Sequence, residues 1–295
     1  MAFANINGIR INYLVKGSGP HLLLFAPGGF NSVIGNWTAK EGKNAWKEMD
    51  GLEVLSRHFT VIAYDRREAG LSGGRVEPLR WDAYVEEAVG LLELLDVRQT
   101  YLLGGCMGAS LVAAFAARHP ERCKGLMLHW PVGGYRWMQR GHAVFNSHIE
   151  FARAQGLLAV AQRAKGKGNF WADPESGPWA APLSHDAGFA AAYVRQDLES
   201  YMRIVEQSRE TLFGDAFPSG ASAAELVGIQ APALIMSGKD EVHAVSCAWT
   251  LHELMSQSEL WDVFPPHQSG GNTLERILRF KARLENPSAP ANHQV

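Results

Sequence analysis

A cysteine between two glycines is the strongest candidate for chemistry in this sequence. Gly104, Cys106 and Gly108 form a Gly-x-Cys-x-Gly pattern that joins an apolar run to an alanine-rich helical stretch. A nucleophile on a sharp strand-to-helix turn needs small neighbours, which the glycines supply. The start of a helix favours a thiolate over a thiol, and the backbone N–H of Met107 can bind an oxyanion there. The pattern therefore predicts that Cys106 attacks a carbonyl carbon.

Two other interpretations of Cys106 stay open. A cysteine at a strand end is often a small buried apolar side chain, and this one could also replace a natural serine. Cys123 and Cys247 lie on predicted helical or helix-end segments with no elbow around them, so we predict no chemistry for them. The chain has no Cys-x-x-Cys, no His-Glu-x-x-His and no phosphate-binding glycine loop. We therefore expect neither a metal nor another cofactor.

Alternating strands and helices are predicted to position this cysteine. Asn7-Gly8 marks a hairpin between strands at 3–6 and 9–15. Six further apolar runs predict buried strands, at 21–26, 60–64, 101–103, 125–130, 233–237 and 260–264. Helical patterns cover 46–57, 81–95, 107–118, 245–255 and 274–284. This alternation predicts an α/β fold, with a mostly parallel sheet and helices on both faces.

One long segment breaks the alternation. Residues 131–223 contain helical stretches but no convincing strand, and they lie between the predicted sixth and seventh strands. We therefore predict a core of residues 1–130 and 224–285, a helical cap or lid of residues 131–223, and a flexible tail from 286 to 295. Extra helices packed on the sheet without a gating role are the alternative.

Five segments together resemble the α/β-hydrolase superfamily over nearly the whole chain. The elbow at 104–108 is the first, and 26–30 lies where that family has its oxyanion loop. Residues 65–72 resemble the family's Asp-x-Arg-Gly-x-Gly-x-Ser turn. Residues 237–240 follow the seventh strand and 265–270 the eighth, where the family places its acid and its histidine. The order of nucleophile, acid and base is also the family's.

The sequence departs from the family pattern at four positions. Cys106 replaces the usual serine, as in thiol members such as the dienelactone hydrolases. Pro27 replaces the usual histidine of the oxyanion loop, and Glu68 replaces a glycine of the turn motif. The loop that contains His267 lacks the family's Gly-His pair.

The resemblance implies a catalytic triad of Cys106, His267 and Asp240. His267 would take the thiol proton or pair with the thiolate, and Asp240 would orient the imidazole. Backbone N–H groups would hold the oxyanion, with Met107, Gly29 and Phe30 as the candidates. His243 is a rival base, which the family order disfavours because it precedes the eighth strand. Asp240 could instead cap the helix that begins near Val242.

Aromatic and basic residues in or near the cap are candidate pocket walls. Trp130 and Trp137 favour a cyclic or aromatic substrate, and Arg136 could bind a carboxylate. Alternatively, the tryptophans pack the cap onto the core and the arginine faces water.

These residues predict a cofactor-independent hydrolase with a covalent acyl-cysteine intermediate. A small ester, lactone, thioester or C–C bond next to a ketone is the expected substrate, because a thiolate attacks activated carbonyls without strong base assistance. An acyltransferase with the same cysteine and a non-catalytic ligand-binding protein of this fold are the alternatives.

Composition narrows the possible partners. The chain has 295 residues and a net charge of −2, which gives no electrostatic basis for binding nucleic acid or an anionic membrane. Its three cysteines make no disulfide framework, and it shows no secretory signal or membrane-spanning apolar run. We expect a cytoplasmic protein with a small carbonyl substrate, either as a monomer or as a homodimer.

Overall fold

A twisted eight-stranded sheet forms the centre of the protein. The computed structural model describes residues 1–38, 46, 49–165, 169–217, 220–263 and 265–286. Its strands are β1 (Ala2–Ile6), β2 (Ile9–Lys16), β3 (His21–Phe25), β4 (Thr60–Tyr64), β5 (Thr100–Gly105), β6 (Cys123–His129), β7 (Ala233–Met236) and β8 (Ser258–Trp261). Their order is β1-β2-β4-β3-β5-β6-β7-β8. β2 runs antiparallel to both β1 and β4, and the other neighbouring strands of this sheet are parallel, which confirms the predicted α/β class.

Helices connect the strands. Within the described residues they are α1 (Gly51–Ser56), α2 (Trp81–Leu94), α3 (Met107–Arg118), α4 (Tyr135–Ala164), α5 (Ala180–His185), α6 (Ala187–Tyr193), α7 (Leu198–Phe213), α8 (Ala223–Gly228), α9 (Val245–Leu254) and α10 (Gly270–Glu285). The helix predicted over 107–118 has the predicted bounds. The last helix begins four residues earlier than predicted, because Ser269 caps its first turn by accepting a hydrogen bond from the backbone N–H of Asn272.

Successive residues of the central strands point to opposite faces of the sheet. Leu23 and Phe25 belong to the apolar core that includes α2, α3 and α9. Leu22 and Leu24 belong to a second core, which includes residues of α1 and α10. Both faces are therefore buried, which explains why the central strands are continuous apolar runs rather than alternating ones.

The segment between β6 and β7 is helical where the structure describes it. It contains α4 to α8, which we call the helical insertion (residues 135–228). Its helices are joined by a buried hydrogen-bond chain: the hydroxyl of Tyr193 donates to that of Tyr201 over 2.6 Å, and Tyr201 contacts Nε2 of His148 at 2.5 Å. The lid role predicted for residues 131–223 stays a prediction, and the predicted tail lies outside the described residues from 287 onward.

The two glycines of the elbow allow backbone segments to approach closely. A β-carbon on Gly104 would lie 2.1 Å from the carbonyl oxygen of Gly108. A β-carbon on Gly108 would lie 2.1 Å from the carbonyl oxygen of Phe25, at the end of β3. Because backbone atoms cannot move aside as a flexible side chain can, alanine at either position must displace β3, β5 or α3.

Gly108→Ala is therefore expected to lower the free energy of unfolding by about 3 kcal/mol or more. Urea unfolding monitored by circular dichroism would measure the change. Gly271→Ala is the matched control, because that glycine lies in α10 with no atom within 4 Å of the added methyl group. Equal stability of Gly108→Ala and wild type would contradict the close contact.

Candidate active site

Cys106 lies at the turn between β5 and α3 in a strained backbone conformation. Its φ is 55° and its ψ is −126°, a combination that non-glycine residues rarely adopt. The turn is held on both sides, since the N–H of Cys106 donates to the carbonyl of His129 (3.0 Å) and its carbonyl accepts from the N–H of Ala109 (2.9 Å). The side chain is only partly buried. This geometry presents the sulfur at the carboxyl edge of the sheet, as in a nucleophile elbow.

Asp240 and His243 form a compact pair in the loop after β7. Oδ2 of Asp240 lies 2.7 Å from Nδ1 of His243. Oδ1 accepts hydrogen bonds from the backbone N–H groups of Val242 and His243, both at 2.9 Å. The carboxylate therefore shapes its own turn and orients the imidazole, with the proton on Nδ1 facing the carboxylate.

The thiol of Cys106 interacts with the other side of this imidazole. Nε2 of His243 is buried and has no hydrogen-bond partner among the described residues by ordinary distance and angle limits. Burial opposes ionisation of Cys106, but the charge of the nearby His243 lowers the pKa of the thiol overall. Burial likewise opposes the charge of His243, yet Cys106 and Asp240 raise its pKa to about 10. The hydrogen bond from His243 lowers the pKa of Asp240. Cys106 and His243 therefore each favour the charged form of the other.

The structure pairs Asp240 with His243 and not with His267, the histidine predicted as the base. His267 lies in a short 3-10 turn (Pro265–His267) after β8, where its side chain is exposed. The next residue, Gln268, turns inward instead: its amide donates to the carbonyls of Ser237 and Val263, both at 2.6 Å. Because Gln268 takes the buried position of this loop, the imidazole of His267 is left at the surface, and Asp240 pairs with His243.

Two backbone N–H groups reach the sulfur of Cys106. They belong to Met107, at the start of α3, and to Gly28, in the loop after β3, and both favour the thiolate. The predicted donors Gly29 and Phe30 are the next two residues of the loop that contains Gly28. The roles of Met107, Gly29 and Phe30 in binding an oxyanion stay predictions. Gly28 and Gly29 both have positive φ angles, 110° and 60°.

The three predicted pocket residues have different surroundings. Trp137 is buried, with its ring 5.3 Å from that of Trp171 and 5.0 Å from that of Phe213. Arg136 is exposed and pairs with Glu241 at 2.7 Å. Trp130 contacts His243, with ring centroids 5.8 Å apart. The role of each in substrate binding stays a prediction.

Aromatic side chains of the helical insertion cover the loop after β3. The ring of Phe30 lies 5.0 Å from that of Phe170 and 5.7 Å from that of Phe145. Trp171 faces Gly29, where an added β-carbon would lie 3.8 Å from the indole. The insertion therefore packs directly on the loop that carries the oxyanion candidates.

Sequence reasoning disfavoured His243 and missed both Gly28 and the inward position of Gln268. The first had a local signal: an Asp-x-x-His spacing allows a carboxylate to bind the imidazole and the intervening backbone N–H groups within a single turn. The adjacent glycines at 28 and 29 were a weaker signal that the backbone of this loop approaches Cys106. Nothing in the sequence distinguishes Gln268 from His267 as the buried residue.

The other two cysteines differ from Cys106 in the direction of their pKa shifts. Burial raises the pKa of both Cys123 and Cys247 to about 12, so these thiols stay protonated at neutral pH. In the part of the chain that the structure describes, no three His, Cys, Asp or Glu side chains cluster as metal ligands would. No helix in those same ranges is long and apolar enough to cross a bilayer.

Comparisons with known proteins agree with the fold described above. Residues 21–163 match a family model described as alpha/beta hydrolase fold. A 2-hydroxymuconate semialdehyde hydrolase from Pseudomonas sp. (strain CF600) is 28% identical over 52% of this chain and 51% of its own length. The enzyme of that name from Pseudomonas putida is 31% identical over 43% of this chain and 41% of its own. The chain thus spans about half the length of these curated relatives.

Solved structures with the same fold align over nearly the whole chain. A meta-cleavage product hydrolase superposes with a TM-score of 0.60 at 19% identity, covering 97% of this chain and 98% of that one. An enol-lactonase from Burkholderia xenovorans LB400 gives a TM-score of 0.58 at 20% identity, covering 98% and 100%. With the sheet order described above, these matches show that the chain has the α/β-hydrolase fold.

Proposed function

We propose that this protein is a cofactor-independent hydrolase in which the thiolate of Cys106 attacks an activated carbonyl. The observation that carries the proposal is the arrangement at the strained elbow, where Asp240 orients His243 and His243 lowers the pKa of the Cys106 thiol. An inert structural cysteine would be expected to have a raised pKa, as Cys123 and Cys247 have.

The mechanism follows from which group holds the proton. The sulfur of Cys106 bonds to the carbonyl carbon, and N–H groups of Met107 and the loop after β3 stabilise the oxyanion. His243 donates its Nε2 proton to the leaving oxygen or carbon as that bond breaks, which gives a thioester. The now neutral His243 takes a proton from water, whose oxygen attacks the thioester and expels the thiolate. Asp240 keeps Nδ1 protonated throughout.

The substrate class follows from the nucleophile and the base. A preformed thiolate favours activated esters, lactones and thioesters over amides. The leaving groups of those substrates depart easily and need little protonation by the imidazolium, whereas an amide has a poor leaving group. Cleavage of a C–C bond next to a ketone is the related possibility in which carbon leaves. The similar proteins described above include a semialdehyde hydrolase and an enol-lactonase, which supports small carbonyl substrates of this type. The helical insertion, acting as a lid, would enclose them.

Intact-mass spectrometry during turnover of p-nitrophenyl butyrate at pH 7 tests this proposal. We expect a transient butyryl adduct that peptide mapping assigns to Cys106 and that decays as butyrate is released. Absence of both an adduct and turnover, combined with slow alkylation of Cys106, would refute the hydrolase and favour a ligand-binding protein.

An acyltransferase that uses the same cysteine is the second candidate. A relative described as a dihydrolipoyllysine-residue acetyltransferase component of an acetoin cleaving system, from Cupriavidus necator, is 24% identical over 68% of this chain and 45% of its own length. A thioester intermediate can pass its acyl group to amines or thiols as well as to water. Adding an amine or a thiol to the same reaction separates the two: butyrylated acceptor as the main product identifies a transferase.

A further inference from the structure

Trp130 lies between two histidines at the end of β6. Its ring stacks on that of His129, with centroids 5.0 Å apart and planes 14° from parallel. The imidazole of His243 lies 5.8 Å from the same indole. Trp130 also has a positive φ of 51°, which is uncommon for a bulky residue and is maintained only by its surroundings.

Gln268 fixes the indole. Nε1 of Trp130 donates a hydrogen bond to Oε1 of Gln268 over 2.7 Å. The amide nitrogen of Gln268 donates to two backbone carbonyls, those of Ser237 and Val263, so the glutamine cannot rotate without losing three hydrogen bonds. Gln268 is itself buried. The loop after β8 therefore supports the site through the indole of Trp130.

The turn that carries His243 packs directly on this tryptophan. A β-carbon on Gly238 would lie 2.5 Å from the β-carbon of His243 and 3.2 Å from that of Trp130. Only a residue without a side chain allows the two to approach this closely. Trp130 thus forms one wall of the space that His243 occupies.

His129 is neutral, so it does not compete with the positive charge of His243. The indole N–H of Trp46 approaches Nδ1 of His129 at 3.3 Å, and because an indole can only donate, Nδ1 must accept. Burial and the charge of His243 lower the pKa of His129 to about 3. The charged groups that face His243 are therefore the thiolate of Cys106 and the carboxylate of Asp240, while Glu241 and Arg136 pair at the exposed side.

We propose that Trp130, fixed by Gln268, is a positioning residue that holds the imidazolium of His243 toward Cys106. An indole in contact with an imidazolium stabilises its charge through the ring quadrupole. The same contact prevents the ring of His243 from turning away from the sulfur. This inference rests on the proposed function, since it assigns a task to Trp130 only if Cys106 and His243 act as an ion pair.

Alkylation of Cys106 by iodoacetamide between pH 4 and 10 tests the inference, because the rate follows the thiolate fraction. Without the hydrogen bond to Gln268 the aromatic ring at position 130 is no longer fixed against His243, so the imidazolium stabilises the thiolate less and the pKa of Cys106 rises. We expect Trp130→Phe, which removes the indole N–H, and Gln268→Met, which removes its partner, to alkylate about three- to tenfold more slowly than wild type near pH 6. Both should lower kcat for p-nitrophenyl butyrate more than they change KM.

Trp249→Phe is the matched control, because that tryptophan is 44% exposed on α9 and should leave the profile unchanged. Thermal unfolding would confirm that each variant is folded, and Gln268→Met decides the question if Trp130→Phe fails to fold. Profiles that coincide with that of wild type would overturn the role of Trp130. A wild-type thiol that titrates near the ordinary cysteine pKa of about 8.5 would instead overturn the proposed function itself.

Discussion

His243→Ala is expected to lower kcat/KM for an activated ester by about a thousandfold or more, whereas His267→Ala leaves it within about twofold. The reason is geometric: Nδ1 of His243 lies 2.7 Å from Asp240 and its other nitrogen faces Cys106, while His267 is exposed after β8. Removing His243 takes away both the partner of the thiolate and the proton donor for the leaving group.

The two variants form a matched pair, since each deletes one imidazole. Steady-state hydrolysis of p-nitrophenyl butyrate at pH 7 would measure both, and His243→Ala should also lose the fast alkylation of Cys106 near pH 6. A large loss in His267→Ala with little change in His243→Ala would reverse the assignment. It would mean that the loop after β8 moves inward when substrate binds.

Cys106→Ala is expected to abolish the acyl adduct and to lower kcat by about 10⁴-fold or more, because it removes the sulfur that forms the proposed covalent intermediate. Cys106→Ser is the more informative variant. Its hydroxyl is not ionised by His243, so the proton must be removed during attack rather than before it. We expect kcat to fall by about tenfold or more, with a butyryl-serine adduct still detectable by mass spectrometry.

Whether Cys106→Ser loses or gains activity also shows which nucleophile, a thiolate or a hydroxyl, the site suits. A loss of activity means that the loops around Cys106 suit a thiolate, as the proposal requires. A gain means that they suit a hydroxyl and that the cysteine occupies a serine position. Thermal unfolding of both variants would separate these chemical effects from a loss of folded protein.

Most of the fold could be predicted because its signals are local. Three signals come from residues that are close together in the sequence. They are the Asn7-Gly8 turn, the apolar runs of the central strands and the glycines around Cys106, and each predicts the local backbone conformation. The boundaries were less certain: β8 was predicted at 260–264 and lies at Ser258–Trp261. This edge strand is only partly buried, so its apolar pattern is weaker than that of the central strands.

The site was predicted less completely because its histidine depends on packing between distant segments. Cys106 and Asp240 follow strands, and their positions at the carboxyl edge of the sheet follow from the fold. The choice between His243 and His267 depends on which residue of the loop after β8 turns inward, and that is decided by the hydrogen bonds of Gln268 to Trp130, Ser237 and Val263. The family resemblance favoured His267, whereas Asp240 contacts His243 in the structure.

The short spacing of Asp240 and His243 changes how the site assembles during folding. When nucleophile, acid and base lie on three separate loops, two long chain closures must occur before all three meet, and each costs conformational entropy. Here the acid and the base form within a single turn, so one long-range closure, between the loop after β7 and the elbow after β5, completes the constellation. The proposed catalytic residues thus lie on two segments, the elbow after β5 and the loop after β7. The second segment is short enough to be grafted into another protein as a single turn.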